Sequence, residues 1–215
     1  MKVVDQSIKL LSITPNPIAH IERCGRVCYK SESKTTCDCQ DGQCPDCLER
    51  SNRFIKGLIK RGHESVLEHA SATMLLVTDR GITHELVRHR IASFSQESTR
   101  YCNYMSGDEI TVVNQEGLKP GATQLSWRVA CETAERTYME LIREGNPPEW
   151  ARSVLPTCLK SELIISANLR QWRHIISMRF LNKFGRSHPQ VMSLFSMVLD
   201  RFLETDASLI FEDLK

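Results

Sequence analysis

Apolar and polar positions in the first third of the chain predict one strand followed by two helices. Residues 3–14 are rich in apolar side chains and end at a Pro-Asn-Pro sequence, which is typical of a strand closed by a turn. Residues 18–29 favour a helix. Residues 48–61 have apolar side chains at helical spacing and stop at Gly62, which predicts a second helix.

The pattern in the middle of the chain predicts short strands and helices in alternation. An apolar run at residues 71–78 indicates a strand, and residues 81–88 indicate a short helix that leads into a loop. Residues 109–114 indicate another short strand. Residues 124–145 form a long amphipathic pattern that ends at Gly-Asn-Pro-Pro, as a helix does.

The last third of the chain is predicted to be helical. Residues 149–156 favour a short helix interrupted by proline, residues 162–184 a long one, and residues 187–205 a last helix opened by Ser-His-Pro. No internal repeat is visible. The pattern as a whole predicts an α+β fold, a helix-rich single domain over residues 1–215 with a modest and mostly antiparallel sheet.

Composition is that of an ordinary globular protein. The chain has 215 residues, 41% hydrophobic and 25% charged, with a net charge of +2. It can bury one core, and it is not a polycation that would bind nucleic acid or a membrane through its overall charge. The first residues are too polar for a signal peptide, and no apolar run would span a bilayer. We therefore expect a cytoplasmic protein without nucleic-acid or membrane partners.

Cysteine is unusually frequent for a cytoplasmic chain, with nine residues. The odd number argues against a disulfide framework. Four thiols have the spacing Cys-x-Cys-x4-Cys-x2-Cys in a polar stretch, predicted to be an inserted loop at about residues 31–47: Cys37, Cys39, Cys44 and Cys47. Two interpretations stay open, namely a tetrahedral zinc site and a tolerated insertion with free thiols. We favour the second and predict no metal.

The sequence GHESVLEH at residues 62–69 has histidines and carboxylates but not the spacing of a zinc protease. That motif needs two histidines four residues apart on one helical face. His63 and His69 are six apart, which on a helix places them roughly 240° apart. Taken alone, the segment is more typical of a helix cap and a surface face.

Arginines in the second half of the chain lie beside apolar residues. If residues 168–180 form a helix, Asn168, Trp172, Ile175 and Arg179 share one stripe, and Arg170 and His174 share a neighbouring one. A guanidinium suits phosphate and other planar acceptors. An arginine on an apolar stripe either meets an anion or extends its head group to solvent with its stem on the core; the segment alone leaves both open.

Four segments in order resemble the flavin-dependent thymidylate synthase family. They are GHESVLEH at 62–69, RHRIASFSQES at 88–98, ARSVLP at 151–156 and NLRQWRHIISMR at 168–179. The second has Arg-His-Arg, seven residues and then serine, and the set extends over more than half of the chain. The order of four segments is far more specific than any one of them.

The resemblance implies a flavoprotein, an FAD-dependent methyltransferase that makes dTMP from dUMP. It implies 5,10-methylenetetrahydrofolate as the carbon donor, NADPH as the reductant, and a homotetramer with active sites shared between subunits. By the same resemblance no enzyme cysteine attacks dUMP, and Ser98 anchors the nucleotide and is not a nucleophile. The cysteine nearest to the matching motifs is Cys102.

The resemblance also implies the residues of the site. Arg179 is expected to be catalytic, because it matches the arginine that contacts the uracil ring. The expected FAD-binding residues are Ser65, Arg88, His89, Arg90, Gln96, Asn168, Arg170 and His174. The expected dUMP-binding residues are Glu85, Arg88, Gln96, Glu97, Ser98, Arg100, Arg152 and Arg179.

Three of these positions depart from the commonest family pattern. Gln96 stands where Glu is frequent, Glu85 where Gln is frequent, and His174 where Asn can occur. Each exchange keeps a hydrogen-bonding side chain, so the assignment of the site stands.

Two other classes of function compete with this one. The first is a nucleic-acid-binding module that uses the cysteine loop and the arginines; the near-neutral charge and the four ordered segments argue against it. The second is a flavoprotein of the same fold without synthase activity.

Overall fold

The computed structural model describes residues 1–35, 44–107, 109–183 and 185–215. The strands are β1 (Lys2–Val4), β2 (Ser7–Ile13), β3 (Ser71–Asp79), β4 (Ser93–Gln96), β5 (Thr111–Val113) and β6 (Lys160–Asn168). The α-helices are α1 (Pro17–Cys28), α2 (Pro45–Lys60), α3 (Arg80–Leu86), α4 (Ala122–Arg143), α5 (Pro148–Ala151), α6 (Leu169–Arg179) and α7 (Pro189–Leu203). Short 3₁₀ helices cover Glu32–Thr35, Glu64–His69, Tyr104–Gly107, Arg152–Val154, Ser208–Ile210 and Glu212–Leu214.

A four-stranded antiparallel sheet organises the fold, with the order β2-β3-β6-β4. The first strand β1 pairs in parallel with β5 in a separate two-stranded sheet. The mixed helix-and-sheet fold with its antiparallel sheet confirms the predicted class. In the described ranges, no helix has the length and apolar character needed to cross a bilayer.

The main core lies between one face of the four-stranded sheet and the helices. Alternate residues of β3 and β6 are buried, among them Met74, Leu76 and Ile165, and they pack with α6 and α7 in one hydrophobic cluster. The indole of Trp172 in α6 is fully buried and donates a hydrogen bond to the carbonyl of Ala72 in β3 (3.1 Å). This bond fixes α6 against the sheet.

Most predicted elements are confirmed within two or three residues. These are α1, α2, β3, α3, β5, α4, α5 with its 3₁₀ continuation, and α7. The predicted Ser-His-Pro opening of α7 is observed in detail, because the His188 ring accepts a hydrogen bond from the Gln190 amide and Pro189 takes the first helical turn.

The predicted helix over residues 162–184 was wrong in its first part. Residues 160–168 form β6, whose side chains alternate between buried and less buried positions, and the helix begins only at Leu169 and ends at Arg179. β6 pairs along its whole length with β3. The alternation has a period of two, as in a strand, and it was hidden by the isoleucine pair at its centre.

Two further predictions were wrong. The strand predicted over residues 3–14 is two strands, because the chain leaves one sheet for the other at Asp5 and Gln6, where Gln6 bonds to Gln190 and Thr78. The stretch after Arg90, predicted to be a loop, contains the edge strand β4.

The predicted cysteine-rich insertion is described only in part. Cys37 and Cys39 lie outside the described residues. Helix α2 begins at Pro45, inside the predicted loop, and Cys47 is buried on it. Over the described ranges, no three His, Cys, Asp or Glu side chains are grouped as ligands of a metal.

Candidate functional site

A cavity of about 550 Å³ lies at the junction of β6 and α6. Its lining includes Asn168, Arg170 and His174 from this junction, Glu64 and Glu68 from the 3₁₀ helix before β3, and Ile91 and Lys183. Such a volume is in the range of small-molecule and cofactor sites. Three residues predicted to bind FAD therefore share one cavity.

Asn168 is both the last residue of β6 and the N-cap of α6. Its side-chain oxygen accepts a hydrogen bond from the Gln171 amide (2.8 Å). The first turn of α6 lines the cavity, so the positive end of the helix dipole faces it. A helix N-terminus of this kind favours phosphate and other anions.

Charged side chains of the cavity are arranged in pairs. The Arg170 guanidinium meets Glu68 at 2.5 Å, with both side chains about half exposed. Buried Arg173 contacts Asp213 (2.6 Å), Glu64 (3.2 Å) and the Ile210 carbonyl. These bonds tie α6 to the C-terminal 3₁₀ helices.

Lys183 is the exception among the cavity's cations. It forms no hydrogen bond or ion pair of its side chain with any described residue, and it is exposed. The cavity therefore offers an anion one lysine whose charge is not already matched by a carboxylate at contact distance.

Arg179, at the end of α6, is held by the residues around it. Its Nε donates to Nε2 of His89 (3.0 Å), one terminal nitrogen donates to the Glu85 carboxylate (2.9 Å), and the other donates to the Glu85 carbonyl (3.1 Å). The arginine side chain is 17% exposed. Three of its five N–H groups are thus engaged, and the guanidinium is fixed in orientation.

His89 accepts a hydrogen bond from Arg179 and must therefore be neutral at Nε2. Burial, with the positive charge of Arg179 and the nearby His174, lowers the pKa of His89 to about 4. The rings of His89 and His174 meet edge to face, with centroids 6.4 Å apart. Because His174 and Ile91 line the cavity, the segment from Arg88 to Ile91 runs along its border.

Arg88 and Arg90, on either side of His89, are exposed. Neither side chain has a hydrogen bond or ion pair to the residues that the structure describes. Both guanidinium groups are consequently available to a ligand, although neither arginine is among the residues that line the cavity.

A second group of predicted residues lies at the other end of β6. Ser98 and Arg100 belong to a turn in which the Tyr101 and Cys102 amides donate to the Ser98 carbonyl (3.2 and 2.9 Å). Arg152 reaches this turn, since it donates to the hydroxyl of buried Thr99 (3.3 Å). Predicted nucleotide-binding residues from two distant segments thus meet here.

The two groups are well separated within one chain. The Glu97 amide bonds to Glu162, whereas the cavity begins at Asn168, six residues further along β6. At the rise of an antiparallel strand this separation is about 20 Å. Gln96 lies between them, where its amide donates to Thr83 and Ser161 (2.8 and 3.1 Å).

Ser65 is in neither group. It is exposed on the 3₁₀ helix whose residues Glu64 and Glu68 line the cavity.

Several residues of the site were not predicted from the sequence. Lys183 was missed because its position depends on the path of the chain after α6, and Arg173 stood out only as one of the arginines near apolar residues because its role depends on Asp213. Tyr104 and Lys160, which contact Glu97 (both 2.9 Å), lie outside the four matching segments. The only sequence signal was the repetition of basic residues on α6, which includes Arg173.

Comparisons with known proteins identify relatives of this chain. The family model described as thymidylate synthase complementing protein matches residues 9–192. A flavin-dependent thymidylate synthase of Geobacter sulfurreducens is 32% identical over 177 residues, which cover 80% of this chain and 72% of that protein. One of Pyrococcus abyssi is 29% identical over 184 residues, covering 82% and 71%.

A solved structure shares the fold. The crystal structure of a UMP/dUMP methylase from Streptomyces cacaoi, bound with 5-bromo-dUMP, superposes with a TM-score of 0.79 at 22% sequence identity. The match covers 99% of this chain and 96% of that one.

Proposed function

Since this chain belongs to the thymidylate synthase complementing protein family, we propose that it is a flavin-dependent thymidylate synthase of the cytoplasm. It converts dUMP to dTMP with 5,10-methylenetetrahydrofolate as the carbon donor and NADPH as the reductant. The observation that carries the proposal is the fixed Arg179 guanidinium, which is linked through His89 and His174 to the cavity at the start of α6.

The residues of the cavity fit FAD. Its pyrophosphate needs cations and backbone donors, and the cavity offers Lys183, Arg170 and the first turn of α6. Arg88 and Arg90 add two unpaired guanidinium groups at its border. Bound there, FAD would carry reducing equivalents from NADPH to the pyrimidine, while the protein supplies orientation and electrostatics.

Arg179 supplies the electrostatic part of the reaction. Its two unengaged N–H groups can donate to a carbonyl oxygen of the uracil ring, where negative charge develops as the ring is reduced. Because His89 and Glu85 already hold the guanidinium, no reorganisation is needed when that charge appears, and such preorganisation is among the largest contributions to catalysis.

We assign Ser98 a role in binding the nucleotide and none as a nucleophile. Among its described contacts, the hydroxyl oxygen accepts only the Arg100 amide (3.3 Å), and a serine without an adjacent base is a weak nucleophile. Together with Arg100 and Arg152, it provides a cationic turn suited to the monophosphate of dUMP.

A homotetramer with shared sites is part of the proposal. Within one chain, the Ser98 turn and the cavity are about 20 Å apart along β6, so the expected phosphate-binding residues and the expected FAD-binding residues do not form one compact site. A neighbouring subunit can bring its own turn to the cavity, which supports an active site built from more than one copy.

The decisive experiment is release of tritium from [5-³H]dUMP by the purified protein. The proposal expects a yellow protein whose FAD absorbance is bleached by NADPH, and tritium release that needs both NADPH and methylenetetrahydrofolate. A yellow protein that never releases tritium would instead be a flavoprotein of this fold without synthase activity. A protein that cannot be reconstituted with FAD would contradict the proposal outright.

A further inference from the structure

The Glu97 carboxylate is directed into the protein. Its side chain is 15% exposed and accepts three hydrogen bonds, from the Tyr104 hydroxyl (2.9 Å), the Lys160 ammonium (2.9 Å) and the Glu162 amide (3.3 Å). A carboxylate with three donors has little capacity left for a ligand. The Glu97 carboxylate, beside Ser98, therefore binds other groups of the protein. The family resemblance had implied that it contacts the nucleotide directly.

The bond between Glu97 and Tyr104 closes a loop. Residues 98–103 lie between them, and both ends are anchored separately. At the first end the Glu97 amide donates to the Glu162 carbonyl (2.9 Å). At the second end the Tyr104 ring packs on Tyr138, with centroids 5.8 Å apart, and the Tyr104 amide donates to the Tyr138 hydroxyl (3.3 Å).

The closed loop is the one that presents Ser98 and Arg100. Its turn is held by the Ser98 carbonyl and hydroxyl, and Arg152 is drawn to it through Thr99. Any displacement of the loop ends would move these three nucleotide-facing groups apart.

We propose that Glu97 and Tyr104 are positioning residues whose hydrogen bond closes the loop at 98–103 and sets Ser98 and Arg100 to bind the phosphate of the nucleotide. This inference rests on the proposed function of the site. Lys160 completes the arrangement, since it is four-fifths buried and pairs with both Glu97 and Glu162.

The protonation states suit this role. Burial and the negative charge of Glu97 raise the pKa of Tyr104 above its ordinary value, so the phenol remains a donor. Burial alone would lower the pKa of Lys160, but its hydrogen bonds to Glu97 and Glu162 outweigh this and raise it. The lysine stays charged, and Glu97 stays paired.

Tyr104→Phe tests the inference, because it removes one hydroxyl and keeps the ring on Tyr138. Affinities of the flavin-loaded protein for dUMP and for deoxyuridine, which has no phosphate, are measured by titration calorimetry. We expect the dUMP dissociation constant to rise about tenfold, as for the loss of a hydrogen bond to a charged group, while that for deoxyuridine is unchanged. KM for dUMP should rise with kcat nearly constant.

Tyr29→Phe is the matched control. It removes a hydroxyl that bonds to His63 (3.3 Å) and leaves both ends of the loop intact, so the preference for dUMP over deoxyuridine should be kept. Should Tyr104→Phe fail to fold, Glu97→Ala removes the acceptor of the Tyr104 hydroxyl, keeps the contact of the Tyr104 ring with Tyr138 and should show the same phosphate-specific loss.

Equal weakening of dUMP and deoxyuridine in Tyr104→Phe, or unchanged affinities for both, would overturn the inference. Failure of the unmodified protein to bind dUMP would overturn the proposed function, and the inference with it. Normal dUMP binding by the unmodified protein, with no phosphate-specific loss in Tyr104→Phe, would overturn the inference alone.

Discussion

Arg179 is the residue on which the proposed chemistry depends most. We expect Arg179→Ala to lower tritium release roughly a hundredfold or more, as for the loss of a preorganised electrostatic group. Arg179→Lys should not restore it, because one ammonium cannot reach His89, Glu85 and a ligand at once.

Ser98→Ala should keep part of the activity. A Ser98→Ala enzyme that binds dUMP normally but never turns over would show that the serine has a chemical role.

His89 makes the protein sensitive to acid. Its pKa is about 4 in the folded chain against an ordinary 6.5. Between these pH values His89 is protonated in the unfolded chain and neutral in the native one. The free energy of unfolding therefore falls as the pH drops from 6.5 to 4, by up to about 3 kcal/mol. Stability is fully regained above pH 6.5.

His89→Gln removes this titration, while the amide oxygen can still accept the hydrogen bond from Arg179. Urea unfolding at pH 5 and pH 7 should therefore show a smaller difference in this variant than in the unmodified protein. His20→Gln, on an exposed histidine, is the control and should keep the full difference. Identical pH dependence in all three proteins would contradict the assignment to His89.

At the scale of elements, Asn168 caps α6 and also lines the cavity, and two substitutions separate these roles. Asn168→Ala removes the cap of α6 and should cost about 1 kcal/mol of unfolding free energy. Asn168→Asp keeps the cap and suits the helix dipole, but it adds a negative charge to the cavity. We expect this variant to be as stable as the unmodified protein while its FAD affinity, followed by flavin fluorescence, falls about tenfold or more. Normal FAD affinity in Asn168→Asp would place the cofactor phosphates elsewhere.

Elements with a strong local signal were predictable, and the centre of the sheet was not. α7 has its proline and histidine cap, and α4 has its glycine and prolines, so both were found from the sequence. β6 was missed because residues 160–168 run into α6 without a turn, and an apolar run joined to a helical pattern is ambiguous on periodicity alone. Pairing with β3, which is a non-local interaction, decides its conformation.

The identities of the site residues were predictable from the family resemblance, but the contacts between them were not. Family resemblance named His89, Glu85 and Arg179 separately, whereas their mutual hydrogen bonds depend on how α3 and α6 pack. The inward direction of Glu97 depends on Tyr104 and Lys160, which no motif includes.

At the scale of the whole molecule, the two residue groups at opposite ends of β6 make a shared site testable by complementation. Arg100→Ala removes a residue of the turn and His174→Ala a residue of the cavity, and each should be inactive or nearly so. Under the proposed arrangement, co-expression of the two variants assembles some sites from an intact turn and an intact cavity, so part of the activity returns. Co-expression of Arg100→Ala with Arg152→Ala, two variants of the same turn, should give no such recovery. Equal activity in both mixtures would indicate a site complete within one chain.

The junction at Asn168 also determines where the protein can move. Strand β6 passes directly into α6 with no intervening residue, and Trp172 is bonded to β3 one turn later. Strand, helix and capping residue therefore form one rigid body, with no hinge beneath the cavity. Opening and closing around ligands must come from the segment that borders the cavity at residues 87–92, so relaxation measurements of backbone motion on the millisecond timescale should find exchange there and not along residues 160–179.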